Sequence, residues 1–384
     1  MNRIITFILA LTATVQLNGQ GFYNDNSVVS LAAETIVVIP DSLVNKGTLI
    51  NNGQLSISGA WINQGRYDPG AGQINFNSNL TQTINHNDQS FGRLTISGSG
   101  EKEFLANITI TSELDLQSSV LKSVNGARII LTPDAIVNGG SDQSHIVGPV
   151  ERQGGGDLLF PVGNGLVYLP VQISGVTDSN VKATMTLHEL SGTETLEGSN
   201  DIVALSSLRY WELNLTDGLL TGSTLTLPLR DEDALLGEDS QLIVTESNSP
   251  LGEYQSLGQS GFTGMKSDGQ VTSELAPTTT FFTVGVLNDE VAITVYNGVS
   301  PNDDGLNDYF KLFNIERFPD NKVTIFNRWG DKVFELSGYD DDTRVFKGEN
   351  NINASQKLPS GTYFYSIKLG NGTPALTGYL ELKN

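Results

Sequence analysis

Four consecutive hexads, "LVNKGT", "LINNGQ", "LSISGA" and "WINQGR", begin at Leu43, Leu49, Leu55 and Trp61. Each has a large apolar first residue and a glycine fifth, at Gly47, Gly53, Gly59 and Gly65. A period of six with one inward apolar residue and one tight turn suits a stacked β-solenoid, in which side chains stack coil upon coil and glycine supplies corners at φ > 0. Asparagines recur at the third position, Asn45, Asn51 and Asn63, where an amide ladder would satisfy turn backbone groups. The stretches "GQINFNSNLTQTI" and "FGRLTISGSGEKEFLANITITSELDLQSSVLKS" continue as short alternating strands divided by Gly, Asn and Ser, so the solenoid is expected over residues 20–148.

Beyond it the spacing lengthens. After the glycine triplet Gly154–Gly156, runs such as "VKATMTLHEL", "LRYWELNL", "STLTLPL" and "TFFTVGV" predict a β-sandwich over residues 149–288, with Phe160 and Trp211 in its core. "KVTIFNRWGDKVFEL" and "LPSGTYFYSIKLGNGTPALTGYLELKN" predict strand pairs around tight turns, which makes residues 292–384 a small immunoglobulin-like β-sandwich. In this last region Tyr363, Tyr365, Ile367 and Leu369 fall on one strand face, and Phe364, Ser366 and Lys368 on the other. The expected fold class is all-β throughout.

Composition narrows the function. The 384 residues carry 22 Lys+Arg against 43 Asp+Glu, a formal net charge of -21 that repels nucleic acid and anionic membrane surfaces. Residues 1–19 place Arg3 before an apolar run from Ile4 to Val15, too short to span a bilayer, and predict a cleaved secretory leader ending near Gly19 and Gln20. No other stretch is apolar enough for a transmembrane helix, so the mature chain is expected outside the cytoplasm. Cysteine is absent, which removes disulfides, thiolate nucleophiles and zinc-thiolate sites. His86, His145 and His188 show no metal-binding spacing and are expected on the surface or in strands.

One loop, "SPNDDGLND" at residues 300–308, packs oxygen ligands around Gly305. Asn302, Asp304, Asn307 and Asp308 are the candidate calcium ligands, since calcium selects hard oxygen donors, but the later bidentate glutamate of such loops is missing. Two adjacent Asx turns, with Pro301 and Gly305 as ordinary turn residues, explain the same residues without an ion and carry more weight. "YDDDTR" at Tyr339–Arg344 has the same two readings, with the solvated turn favoured.

The motifs "NGVSPNDDGLNDYF" (Asn297–Phe310), "FPDNKVTIFNRWGDKVFE" (Phe318–Glu335), "LPSGTYFYSIKL" (Leu358–Leu369) and "LTGYLEL" (Leu376–Leu382) occur in fixed order over the last quarter of the chain. This stretch resembles the gliding-motility-associated C-terminal domain of Bacteroidetes, the type B sorting domain of the type IX secretion system. The resemblance rests on Asn297, Ser300, Pro301, Asn302, Asp304, Gly305, Asn307, Asp308, Asn327, Arg328, Trp329, Gly330, Gly361 and Tyr363. One departure is "VFKGEN", where Phe346 stands in the family's tryptophan position and Gly348 is retained; an aromatic exchange is expected to keep the packing. The resemblance implies an export address: recognition in the periplasm, passage through the type IX translocon, and an outer-membrane partner of the PorP/SprF type.

No nucleophile constellation accompanies this address, so the sequence favours a non-enzymatic surface or secreted protein, structural or adhesive, that meets glycans or matrix. A polysaccharide-degrading enzyme is the alternative, because solenoids can place carboxylates on one strand face; Glu101, Glu103, Glu113 and Asp115 alternate as outward residues would. An accessory component of the outer-membrane secretion or gliding machinery is the third.

Overall fold

The computed structural model describes residues 14–16, 21–230, 241–287, 293–302, 307–352, 356–370 and 375–383. The chain divides into two compact units, Met1–Asn288 and Asp289–Asn384. Both are built of strands, and no α-helix occurs among the described residues. Most of the expected leader lies outside them, as does its cleavage point; Thr14–Gln16 form a strand parallel to Ile36–Val38.

The hexads are the sides of a coil, three to a turn. Leu43–Asn45, Thr48–Asn51 and Gln54–Ile57 are successive sides. Trp61–Asn63 returns to the first side and pairs with Leu43–Asn45 in parallel, Leu43 against Trp61. Thr48–Asn51 pairs in the same way with Arg66–Asp68, and Gln54–Ile57 with Gln73–Phe76. The period of six therefore builds a coil of three periods, and seven strands stacked in one of its sheets make a solenoid of about seven turns. The side of Thr48–Asn51 holds three strands only, so the later coils run on two sheets.

The glycines act differently from the expectation. None of Gly47, Gly53, Gly59 and Gly65 takes a positive φ. Their need is room: a Cβ on Gly47 would lie 2.2 Å from the Ser27 carbonyl oxygen, and one on Gly65 would lie 2.1 Å from that of Gly47. Corners of successive coils nest directly on one another at the strand spacing of about 4.8 Å, and that leaves no space for a side chain at the nesting point.

Inside the coils the ladder forms with one extra rung at each end. Asn24 donates to Asn45 Oδ1 at 2.8 Å and Asn45 to Asn63 Oδ1 at 2.7 Å, all three buried. Asn45 also reaches the Arg66 carbonyl at 3.0 Å, so the ladder satisfies corner backbone as well as itself. Asn51 serves a different corner, accepting from the Gly53 N–H at 3.1 Å and donating to the Gln73 carbonyl at 3.3 Å.

Two histidines depart from expectation. His86 and His145 are fully buried next to strand ends, His86 directly after Gln82–Asn85 and His145 directly before Ile146–Val147, and only His188 sits on a strand, Lys182–Glu189. His86 continues the ladder: Trp61 Nε1 donates to its Nδ1 at 3.0 Å, and its ring stacks on Phe91 at 3.7 Å. An indole can only donate, so Nδ1 is the acceptor and the ring is neutral with its proton on Nε2. Burial lowers its pKa to about 4, against a smaller opposing effect of the Ser90 backbone. His145 pins two loops together, through the Ser141 carbonyl at 3.0 Å and the Gly165 N–H at 2.9 Å.

The solenoid passes into the next region without a break in its longest sheet. Ile129–Leu131 pairs in parallel with Val150–Gln153, which pairs antiparallel with Lys182–Glu189, and the remaining strands of this sheet continue from there. A five-stranded antiparallel sheet containing Gly156–Phe160, Val171–Val176 and Thr224–Arg230 faces it, and one apolar core spans both. Phe160 and Trp211 lie in that core, as their strand positions predict. Residue 149 thus marks a change of pairing direction inside a continuous sheet.

Two outcomes follow for the solenoid. Gly65→Ala drives a methyl group into the Gly47 backbone and lowers stability by about 3 kcal/mol, the upper range for overpacking, measured as a lower urea midpoint. Because His86 binds its proton less readily folded than unfolded, stability falls as pH drops from about 6.5 towards 4, by on the order of 3 kcal/mol. In His86→Phe, urea midpoints at pH 7 and pH 4.5 differ by correspondingly less; an unchanged difference assigns the acid sensitivity to other groups.

Candidate functional site

The C-terminal unit centres on a five-stranded sheet in the order Gly298–Val299, Leu376–Leu382, Gly361–Lys368, Lys322–Phe326 and Lys332–Ser337. The predicted alternation is present: Tyr363 and Ile367 point into the core and Phe364 outward. Phe310, Leu312, Ile315, Tyr339 and Phe346 enter the same core from the connecting segments.

The Asn-Arg-Trp-Gly stretch is the turn between Lys322–Phe326 and Lys332–Ser337. Asn327 builds it: its Oδ1 accepts the N–H groups of Trp329 and Asp331, each at 2.9 Å, and its Nδ2 donates to Asp331 at 3.0 Å. Gly330 takes φ +86°, which a side chain would resist. The turn holds Trp329 75% exposed, with the Arg328 guanidinium 5.1 Å from its ring centroid. An indole held in solvent by such a specified turn adds nothing to the core and is available to a partner.

The flanks of the loop at residues 300–308 meet. Ser300 N–H donates to the Asn307 carbonyl at 2.7 Å, and Asn302 N–H to Asp308 Oδ1 at 3.2 Å, with Asn307 at φ +55°. Asp304 and Gly305 lie outside the described residues, and among the described residues no cluster of three acidic or histidine side chains could hold a metal ion. Asn297 completes this edge by accepting the Glu381 N–H at 2.7 Å.

The second acidic loop is a built turn. Asp340 accepts the Arg344 N–H at 2.7 Å, the Thr343 hydroxyl at 2.7 Å and the Asp342 N–H at 3.0 Å, and these bonds, that of Arg344 first, pull its pKa down to about 2. Asp341 accepts the Leu312 N–H at 2.7 Å, while burial pushes its pKa up. Tyr339, which opens the loop, is buried; its hydroxyl donates to the Phe310 carbonyl and accepts the Phe346 N–H at 2.9 Å. Phe346 is fully buried and meets Phe334 edge-on at 5.0 Å, so the aromatic position is filled as expected.

Residues 293–382 match the CHU_C type IX secretion signal domain. No curated protein and no solved structure matches the chain. The secretion signal domain supports export of this protein by the type IX system to the cell surface or extracellular space, and it implies contact with the secretion machinery. Among the described residues no helix is long and apolar enough to cross a membrane.

The first unit offers an open cleft of about 690 Å³ on the later coils, lined by Glu101, Lys122, Asp142, Gln143, Asn164 and Leu166 among others. Glu101 and Lys122 form an ion pair at 2.9 Å within it. Of the other carboxylates on the solenoid, Glu113 accepts from Asn138 and Asp115 from Gln117, each at 2.7 Å. His188 pairs with Glu212 at 2.8 Å and stacks on Tyr210 at 4.9 Å, on the outward face of the longest sheet. The pairing could not be read from sequence, because only the antiparallel register of Lys182–Glu189 against Arg209–Asp217 brings these residues together.

Phe346→Ala is expected to cost the secretion signal domain about 3–5 kcal/mol through the cavity it leaves. Tyr339→Phe, which strands the Phe310 carbonyl and Phe346 N–H in the core, costs about 1–3 kcal/mol. Denaturant unfolding of the full chain, followed by amide hydrogen exchange in the strands Lys322–Phe326 and Gly361–Lys368, measures both.

Proposed function

We propose that this protein is a non-catalytic structural or adhesive protein, delivered by the type IX route and acting through its first unit on glycans or matrix at the surface. The observation that carries the reading is the pairing of a secretion signal domain with a solenoid whose interior is filled by its own side chains and whose longest sheet turns polar side chains such as Gln54, Ser56, Gln73 and Asn75 outward. Delivery begins with the leader at residues 1–19 and a periplasmic step. There the secretion signal domain engages an outer-membrane protein of the PorP/SprF type through the exposed Trp329 turn.

Protease treatment of intact host cells tests the address. The full chain is digested at the surface, and a chain truncated after Glu290 is protected in the periplasm; equal fates for the two would sink the sorting role of the domain. Trp329→Ala is expected to lose surface delivery while keeping stability within about 0.5 kcal/mol of the wild type, as an exposed substitution should. The adhesive role is read separately: cells lacking the gene attach less to a glycan- or matrix-coated surface, and normal attachment rejects it.

A further inference from the structure

Four coils of the longest sheet share one register. Gln54–Ile57 pairs with Gln73–Phe76, which pairs with residues 93–96, which pair with residues 113–116, all in parallel. Leu55, Ile74, Leu94 and Leu114 point into the core, so their neighbours point out. One row on the outward side is Ser56, Asn75, Thr95 and Asp115, of which Thr95 is buried. A row beside it runs Gln54, Gln73, Arg93 and Glu113, polar over its first two coils and charged over the next two, and a third, carried on by the same coil-to-coil backbone bonds, begins Ser58, Asn77, Ser97.

These side chains are fixed by bonds between coils. Gln73 Nε2 donates to Thr95 Oγ1 at 2.6 Å, Ser97 Oγ to Asn75 Oδ1 at 2.7 Å, and Ser58 Oγ to Asn77 Oδ1 at 2.9 Å. The bonds engage the carbonyl oxygens of Asn75 and Asn77 and leave their Nδ2 groups as donors on the face. Between the rows lies a depression of about 190 Å³, lined chiefly by Gln54, Ser56, Gln73, Asn75, Thr95 and Gln117. Hydroxyls and carboxamides, fixed before any ligand arrives, line it.

We infer that this face docks a neutral, extended polysaccharide laid across the coils. Hydrogen-bonding side chains recur along the rows at the strand spacing of about 4.8 Å, uncharged over the coils of Gln54–Ile57 and Gln73–Phe76, so a polymer with hydroxyls at regular intervals meets a donor or acceptor at each coil. Amides and hydroxyls both donate and accept, as sugar hydroxyls do. A polyanion is disfavoured by the net charge of -21. A peptide strand would add to a sheet edge through its backbone, whereas the sheet presents only side chains here. The inference rests on the surface-adhesion reading for where the polymer is met, and it names the ligand class and the face.

The test is native electrophoresis of the full chain through gels containing hydroxyethylcellulose, mannan or alginate. Wild type and Thr263→Ala, an exposed change on the five-stranded sheet, are retarded by at least one neutral polymer and not by alginate. Asn75→Arg, which blocks the middle row, and the double variant Gln73→Ala/Asn75→Ala bind that polymer at least about tenfold more weakly, as expected for the loss of two or more net hydrogen bonds. Matched thermal midpoints establish folding, and the double variant carries the test if Asn75→Arg does not fold. Retardation of wild type and both face variants to the same degree overturns the face and leaves the adhesive reading standing. Retardation by alginate alone, or by no neutral polymer, overturns the ligand class, while cell attachment decides the adhesive reading by itself.

Discussion

Everything in the first unit depends on how closely the backbone of one coil can lie on the next. Parallel strands repeat at about 4.8 Å, so any corner that nests on the corner below must lack a side chain there. Gly47, Gly53, Gly59 and Gly65 meet that demand, with Cβ positions that would fall within 2.4 Å of backbone atoms of the preceding coil. Once the corners nest, the register of every strand follows, and with it which residues face in. The apolar first residue of each hexad is then forced into a file with its equivalents above and below.

The same nesting creates the problem that the interior polar residues solve. A corner turns backbone groups towards the core, where an unpaired one costs about 1–3 kcal/mol. Asn45 and Asn51 answer this with side-chain amides, and Gln82 does so two coils on, reaching the Ile57 and Gly59 carbonyls at 2.8 and 2.6 Å. Lys102 fills the equivalent place in the following coil. Its buried ammonium donates to the Ser78 carbonyl at 3.0 Å, the Ser119 hydroxyl at 3.1 Å and the Gly100 carbonyl, and burial lowers its pKa to about 8. A lysine at the centre of a sheet protein is thus a backbone ligand, with three oxygens standing in for water.

Much of this was legible because it is local. The hexad period, the inward Asn45 and Asn63, the alternation along Gly361–Lys368 and the turn at Trp329–Gly330 all follow from residues within one strand or turn of each other. What was not legible depends on residues a full coil apart. No period announces that Lys102 would be internal, or that Trp61 would hold His86 neutral, since Lys102 and His86 look like ordinary polar residues beside turns. The role of the corner glycines is hidden for the same reason: a backbone twist can be read from one residue, but a close approach depends on what lies beneath it. In the secretion signal domain, Tyr339 was visible only as the start of an acidic loop, and its two backbone bonds join segments 29 and 7 residues away.

A stack of parallel coils exposes unpaired strands at its end, and a repeat array needs a cap to stay soluble and monomeric. Here Val150–Gln153 supplies it. One edge of this strand accepts the last coil in parallel and the other begins an antiparallel series, so the solenoid ends by becoming one layer of a two-layered core. A chain without cysteine has no cross-link to hold such a junction, and the continuous hydrogen-bonded sheet takes that role. Loss of the antiparallel layer would uncover the last coil's edge and its apolar interior together. The solenoid and the two-layered region are therefore expected to unfold as one cooperative body, while the outward faces of the coils carry none of this packing.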